Sequence, residues 1–210
     1  MSRSHRPSPP YVLVGAVSWL FVRVGFRLRI VGPCRPPTLG GYVLASNHVS
    51  NLDPWPLGMP LYPSRYLRFM AKSELYWPPL GWFLDACGAF KVRRGQHDEE
   101  AVATAVRLAR DGHAIVMFPE GTRRRKGIRK KYEARWRAGA ARIALEAGVP
   151  LVPAAVAGTD RLSRLARWGV TYGEPIPVDD LAGLDPVEAA ATATERLRAE
   201  IERLEASLGR

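Results

Sequence analysis

A histidine and an aspartate stand five positions apart in residues 46–53, S-N-H-V-S-N-L-D. His48 brings an imidazole that can accept a proton near neutral pH. Asp53 brings a carboxylate that can hold one ring nitrogen and leave the other free for chemistry. An ideal helix turns about 100° per residue, so a step of five would leave the two side chains off a common face. The sequence instead suggests a turn over residues 49–52. Pro54 disfavours the helical region for Asp53 and suits the first helical position, which makes Asp53 the expected N-cap. Arranged this way, the pair is a general base with its orienting group. The same spacing also fits a satisfied core histidine beside a helix cap.

A second stretch, F-P-E-G-T-R over residues 118–123, follows the apolar run 113–117, which reads as a buried strand. Pro119 and Gly121 turn the chain at that strand's end, where open α/β sheets place ligands. Arg123 is then either a fixed guanidinium for an anionic substrate or one solvated cation in a basic loop. Two further blocks complete an ordered set: G-A-F-K-V-R-R over 88–94 and V-P-L-V-P-A over 149–154. With N-H-x-S-x-x-D and F-P-E-G-T-R intact, the chain resembles the 1-acylglycerol-3-phosphate acyltransferases, a family of glycerolipid acyltransferases. The resemblance covers roughly residues 32–177.

The resemblance implies transfer of a fatty acyl group to the free 2-hydroxyl of 1-acylglycerol-3-phosphate, giving phosphatidate. The donor would be acyl-CoA or an acyl-carrier protein, with no other cofactor and no metal. His48 would be the base and Asp53 its orienter. The blocks holding Arg93 and Arg94 and holding Glu120, Gly121, Thr122 and Arg123 would bind the acceptor. Within the second of these, Arg123 is assigned the phosphate, since a guanidinium matches phosphate oxygens in a bidentate fork. Glu120 would orient the loop and Gly121 would let it turn. A thioester is already activated, so direct attack by the acceptor alcohol needs only proton removal, and neither Ser50 nor Thr122 is required as a nucleophile. The chain departs from the family pattern after Arg123, where Arg124, Arg125 and Lys126 replace the usual small polar residue. Other lysolipids or glycerol-3-phosphate therefore stay open as acceptors. A non-catalytic basic protein that binds membranes is the reading from a different class.

Positioning these groups falls to alternating strands and helices. Strands are expected over 27–31, 41–45, 66–71, 89–92, 114–118 and 150–157, with an edge strand over 170–172. Helices are expected over 54–61, 77–87, 98–110, 138–147 and 187–208. Such alternation argues a single α/β domain, its helices flanking a mostly parallel mixed sheet. A disordered tail is expected over 1–10, a membrane-associating segment over 11–30 and the acyltransferase domain over 31–210.

The chain has 210 residues, 47% hydrophobic and 24% charged, which suits a globular core and excludes wholesale disorder. Its formal net charge of +11 calls for anionic partners: membrane lipids, a phosphorylated acceptor, or an acidic carrier. Residues 11–22 form an apolar run followed by Arg23, Arg27 and Arg29. A span needs about 20 apolar residues, so this run reads as an interfacial helix, with Trp19 and Phe21 at the acyl boundary. A first core helix docked on the domain is the alternative. Six arginines and no acid precede Asp53, which favours an anionic surface and a peripheral or monotopic place on the cytoplasmic face of a membrane. Residues 123–137 hold nine Lys or Arg against Glu133 alone, and read as a basic loop. No nucleic-acid motif accompanies it, so nucleic acid is not expected as a partner. Cys34 and Cys87 are too few for a disulfide framework and read as buried thiols in a reducing compartment.

Overall fold

The apolar runs form strands because each can be buried on both faces, with helices covering the sheet from either side. The structure, a computed structural model, describes residues 8–92, 99–121, 125–126, 130–131, 136–161 and 166–209, with 125–126 and 130–131 described by backbone alone. In chain order the strands are β1 (Arg29–Val31), β2 (Tyr42–Ser46), β3 (Leu67–Lys72), β4 (Ala89–Val92), β5 (Ala114–Met117), β6 (Arg125–Lys126), β7 (Lys130–Lys131), β8 (Leu151–Ala157) and β9 (Gly169–Tyr172). The helices are α1 (Pro9–Leu20), α2 (Pro54–Gly58), α3 (Leu80–Ala86), α4 (Glu99–Arg110), α5 (Gly139–Ala147) and α6 (Pro186–Ser207). Seven strands make one sheet in the order β1-β9-β8-β2-β5-β3-β4. Only the β8–β9 pairing is antiparallel. This is the expected α/β architecture with a mostly parallel sheet.

Strand β2 lies at the centre and is buried at every residue. Its alternate side chains feed two cores. Val43 and Ala45 pack with Ala105 and Ala109 of α4, Ile143 and Ala144 of α5, and Leu197 and Ile201 of α6. Tyr42 and Leu44 face the other way, toward Leu57 of α2 and Val152, Val170 and Tyr172. Helix α4 carries Glu99 and Glu100 in its first turn and buries Ala101, Ala105, Val106 and Ala109. The acids offset the positive end of the helix dipole.

Several local expectations give way to tertiary packing. β9 is not an edge strand: β1 adds to its far side in parallel, with Ile30 opposite Val170. Local pattern cannot say which neighbour a strand will find. The segment expected as a helix over 54–61 divides into α2 and a 3₁₀ turn over Met59–Leu61. Helix α3 starts at Leu80 with Pro79 in the N-cap position, so Trp77 and Pro78 precede it. Within the basic loop, β6 and β7 pair antiparallel as a two-stranded ribbon. Neither thiol is buried: Cys34 and Cys87 are each half-exposed, and the Cys34 thiol donates to a Glu174 oxygen at 2.6 Å.

The N-terminal helix begins at Pro9, ahead of the expected start. Ser8 caps it by accepting from the Tyr11 N–H at 3.3 Å, and prolines fill its first two positions, where no donor is needed. Residues 1–7 lie outside the described residues. One side of the segment docks: Tyr11 meets Tyr66 edge-on, Gly15 sits against Tyr62, and Val22 and Phe26 pack near Trp168. The other side leaves Leu13, Val17, Leu20, Phe21 and Val24 exposed. No described helix is long and apolar enough to cross a membrane.

Candidate active site

Parallel pairing of β2 with β5 brings the ends of two adjacent strands together, Ala45 opposite Met117. One chain leaves β2 into Asn47 and His48, and the other leaves β5 into Phe118, Pro119, Glu120 and Gly121. The His48 ring lies on the Phe118 ring, centroids 4.1 Å apart and planes 20° from parallel. The two stretches singled out by residue type therefore form one site. It lies at the carboxyl end of the sheet, where open α/β folds bind ligands.

His48 Nδ1 is 2.7 Å from Asp53 Oδ2. An ionised carboxylate only accepts, so Nδ1 carries the proton and Nε2 presents its lone pair. The ring is 9% exposed, and among the described residues nothing bonds Nε2. The carboxylate itself is fully buried and accepts four hydrogen bonds. Oδ2 takes the ring N–H together with the backbone N–H groups of Val49 at 2.8 Å and Ser50 at 2.9 Å. Oδ1 takes the Thr159 hydroxyl at 2.6 Å. Burying a charge is costly unless its lone pairs are satisfied, and here donors converge on both oxygens.

Asp53 holds the N-cap position of α2, as its sequence suggested, but its backbone is helical, at φ −55° and ψ −33°, and its side chain makes no capping bond. The reason lies in P-W-P. Pro54 and Pro56 have no N–H, and the Trp55 N–H already donates to Leu52 O at 3.1 Å. With no donor ahead of it, the carboxylate turns back to serve the turn over 49–52. Ser50 is also a turn residue here, its hydroxyl accepting from the Leu52 N–H at 3.2 Å.

Asn47 anchors the end of β2. Its amide donates to Val156 O at 3.0 Å and to Glu205 Oε1 at 2.7 Å. Its carbonyl oxygen accepts the Val156 N–H at 2.8 Å and the Ser46 hydroxyl at 3.0 Å. The side chain thereby extends the β2–β8 ladder by one rung beyond the Ser46–Ala154 pairing. His48 follows directly on this anchor.

The second turn is pinned by its backbone. Gly121 N–H donates to Phe118 O and Arg137 N–H to Pro119 O, both at 2.9 Å. Gly121 has φ +69°, and a Cβ there would come within 2.7 Å of Arg137 Nε. The positive φ favours glycine here, and any side chain would also have to displace the Arg137 side chain. Glu120 is buried, at 1% exposure. Arg93, Thr122 and Arg123 lie outside the described residues, so their places in the site are not part of this geometry.

Sequence reasoning missed Thr159, the structural part of Asn47, and Glu205. Asn47 stands inside the quoted motif, beside the histidine. Thr159 follows β8, but only the sheet order reveals that β8 neighbours β2. Glu205 sits on a charge-alternating helix with no local sign that it turns inward.

A family model described as Acyltransferase matches residues 27–157, more than half of the chain. A 1-acyl-sn-glycerol-3-phosphate acyltransferase of Bacillus subtilis is 33% identical over 178 residues, covering 82% of this chain and 85% of that protein. A lyso-ornithine lipid O-acyltransferase of Pseudomonas aeruginosa is 32% identical over 200 residues, covering 82% of this chain and 71% of that one. Among solved structures, the 1-acyl-sn-glycerophosphate acyltransferase of Thermotoga maritima aligns with a TM-score of 0.64 over 93% of this chain and 81% of that chain. At 22% identity, that likeness concerns the fold.

Proposed function

Because the chain belongs to the acyltransferase family, we propose that it acylates the free hydroxyl of 1-acylglycerol-3-phosphate, using an acyl thioester of coenzyme A or of an acyl-carrier protein. The observation that carries this reading is the His48–Asp53 pair: Nδ1 is tied to a four-donor carboxylate, and among the described residues nothing bonds Nε2. Nε2 removes the proton as the acceptor oxygen attacks the thioester carbonyl. A C–O bond forms, the C–S bond breaks, and the imidazolium returns its proton to the departing thiolate. No acyl-enzyme is needed on this route, and Ser50 is spent on its turn.

A phosphate-bearing acceptor is favoured by the net charge of +11 and by the basic run that opens at Arg123. The zwitterionic acceptor in the Pseudomonas relative's name is the rival. The test is a panel of lysophosphatidate, lyso-ornithine lipid and glycerol-3-phosphate, each with both thioester donors. Lysophosphatidate should give the highest kcat/KM. Arg123→Lys, which keeps the charge but loses the fork, should lower that value about tenfold while sparing the ornithine lipid. A preference for lyso-ornithine lipid would reassign the acceptor.

The acceptor is a membrane lipid, and we propose that the segment 11–30 seats the enzyme on the cytoplasmic face of an anionic bilayer. Its outward face is apolar, and Arg23 lies over the Trp19 ring at 5.7 Å, where an interfacial pair would sit. Trp77, Trp82 and Phe83 around α3 are exposed too, and Ser8 Oγ joins the two helices through Ala86 O at 2.7 Å. Flotation with liposomes should show binding that rises with anionic lipid and is largely lost when residues 1–28 are removed. Equal binding by the shortened chain would assign the contact elsewhere.

A further inference from the structure

We infer that Thr159 is a positioning residue for the reaction, acting through Asp53 to hold the His48 ring in register. The inference rests on the reading of His48 as the base. Thr159 is 1% exposed, and its hydroxyl lies 2.6 Å from Asp53 Oδ1, at a separation of 106 residues. All three contacts from the turn itself fall on Oδ2. Those three bonds share one oxygen, and all three come from the short turn that the aspartate itself closes. Thr159 holds the second oxygen from the far end of β8, a restraint on the carboxylate that does not depend on that turn. The direction of the bond to Nδ1, and so the aim of Nε2, follows from where the carboxylate is held.

The chain places Thr159 deliberately close. β8 runs parallel to β2 and ends at Ala157, beside the exit that leads to His48. Gly158 then turns with φ +87°, and a Cβ there would lie 2.2 Å from Arg167 O. Only glycine fits a bend so tight, and the bend sends the next residue into the site. A hydroxyl is well suited to this place. It donates to the carboxylate without adding a positive charge that would compete for it with the imidazolium formed during transfer.

The test measures acyl transfer by the full-length protein on lysophosphatidate-containing vesicles, with Thr159→Val, Thr159→Ser and Thr159→Ala beside His48→Ala and Asp53→Asn. Thr159→Val is nearly isosteric and lacks the donor. It should lower kcat about 10-fold, a part of the 10²–10⁴ that a positioned base supplies, and move either KM by less than about twofold. Thr159→Ser should recover turnover to within about threefold of the parent, because the hydroxyl returns. In the Asp53→Asn background, Thr159→Val should cause no further loss, since both changes act on one bond network. Wild-type kcat in Thr159→Val, a loss confined to KM, or multiplicative losses in the double variant would each overturn the inference. If the valine variant does not fold, Ser and Ala decide it: equal turnover by the two overturns it, and turnover kept by Ser alone supports it. An active His48→Ala control would instead bring down the underlying assignment of the base.

Discussion

His48→Ala loses acyl transfer by about 10³-fold or more and keeps its fold. The magnitude follows from the base: general-base assistance contributes roughly 10²–10⁴-fold, and Nε2 is the nitrogen left for it once Nδ1 is bonded to Asp53. The fold should survive because the change removes the Phe118 stacking and the bond to Asp53 but leaves the backbone pairing of β2 with β5 and β8 untouched. Asp53 would still accept from Val49, Ser50 and Thr159. Asp53→Asn is the sharper variant. An amide turned so that its oxygen faces Val49 and Ser50 would offer its N–H₂ to Thr159, whose hydroxyl can accept as well as donate. The turn then holds, but a neutral amide cannot stabilise the imidazolium. The expected loss is about 10²–10³-fold in kcat with a near-parental melting curve. Turnover of folded His48→Ala within about tenfold of the parent would remove it as the base.

Asn47→Ala should damage both stability and turnover. The change strips partners from the buried Val156 N–H and C=O, and takes one donor from Glu205. Leaving buried polar groups without partners costs about 1–3 kcal/mol each, so a total near 3 kcal/mol is expected. For a chain of this size that corresponds to about 6–12 °C in Tm. Turnover should fall at least about 10-fold even below the melting range, because the backbone that carries His48 loses its last rung to β8. Calorimetry and initial rates on the same preparation check both halves. A melting point within about 2 °C of the parent would show that the side chain carries no such weight.

The sequence disclosed the parts of the site that are local. His48 and Asp53 meet across five residues, and the turn between them is written in V-S-N-L. The alternation of apolar runs and amphipathic helices was enough for the α/β sheet, because each strand's burial and each helix's face are properties of its own segment. The distant partners of Asp53 and Asn47 were another matter. Thr159 comes from 106 residues away and Glu205 from 158 residues beyond Asn47, across a sheet order that no local window contains. The same blindness made β9 an edge strand. The Asp53 side chain is a different case: the residue holds the N-cap position, but P-W-P already shows that its carboxylate would find almost no donor ahead. Reading the donors ahead, rather than the preference of aspartate for caps, would have turned the carboxylate back toward His48.

The bond from Asn47 to Glu205 also orders events in time. A ribosome releases the chain from its amino end, so Asn47 emerges 158 residues ahead of Glu205 in the last turns of α6. Until those turns arrive, the anchor at the end of β2 lacks its partner, and the core beneath β2 lacks Leu197 and Ile201. The entropy of closing so long a loop is met only when the helix docks. Competence for chemistry is therefore gained only once α6 docks, after every described strand has been made. A nascent chain that has yet to complete α6 holds its reactive histidine without the frame that aims it.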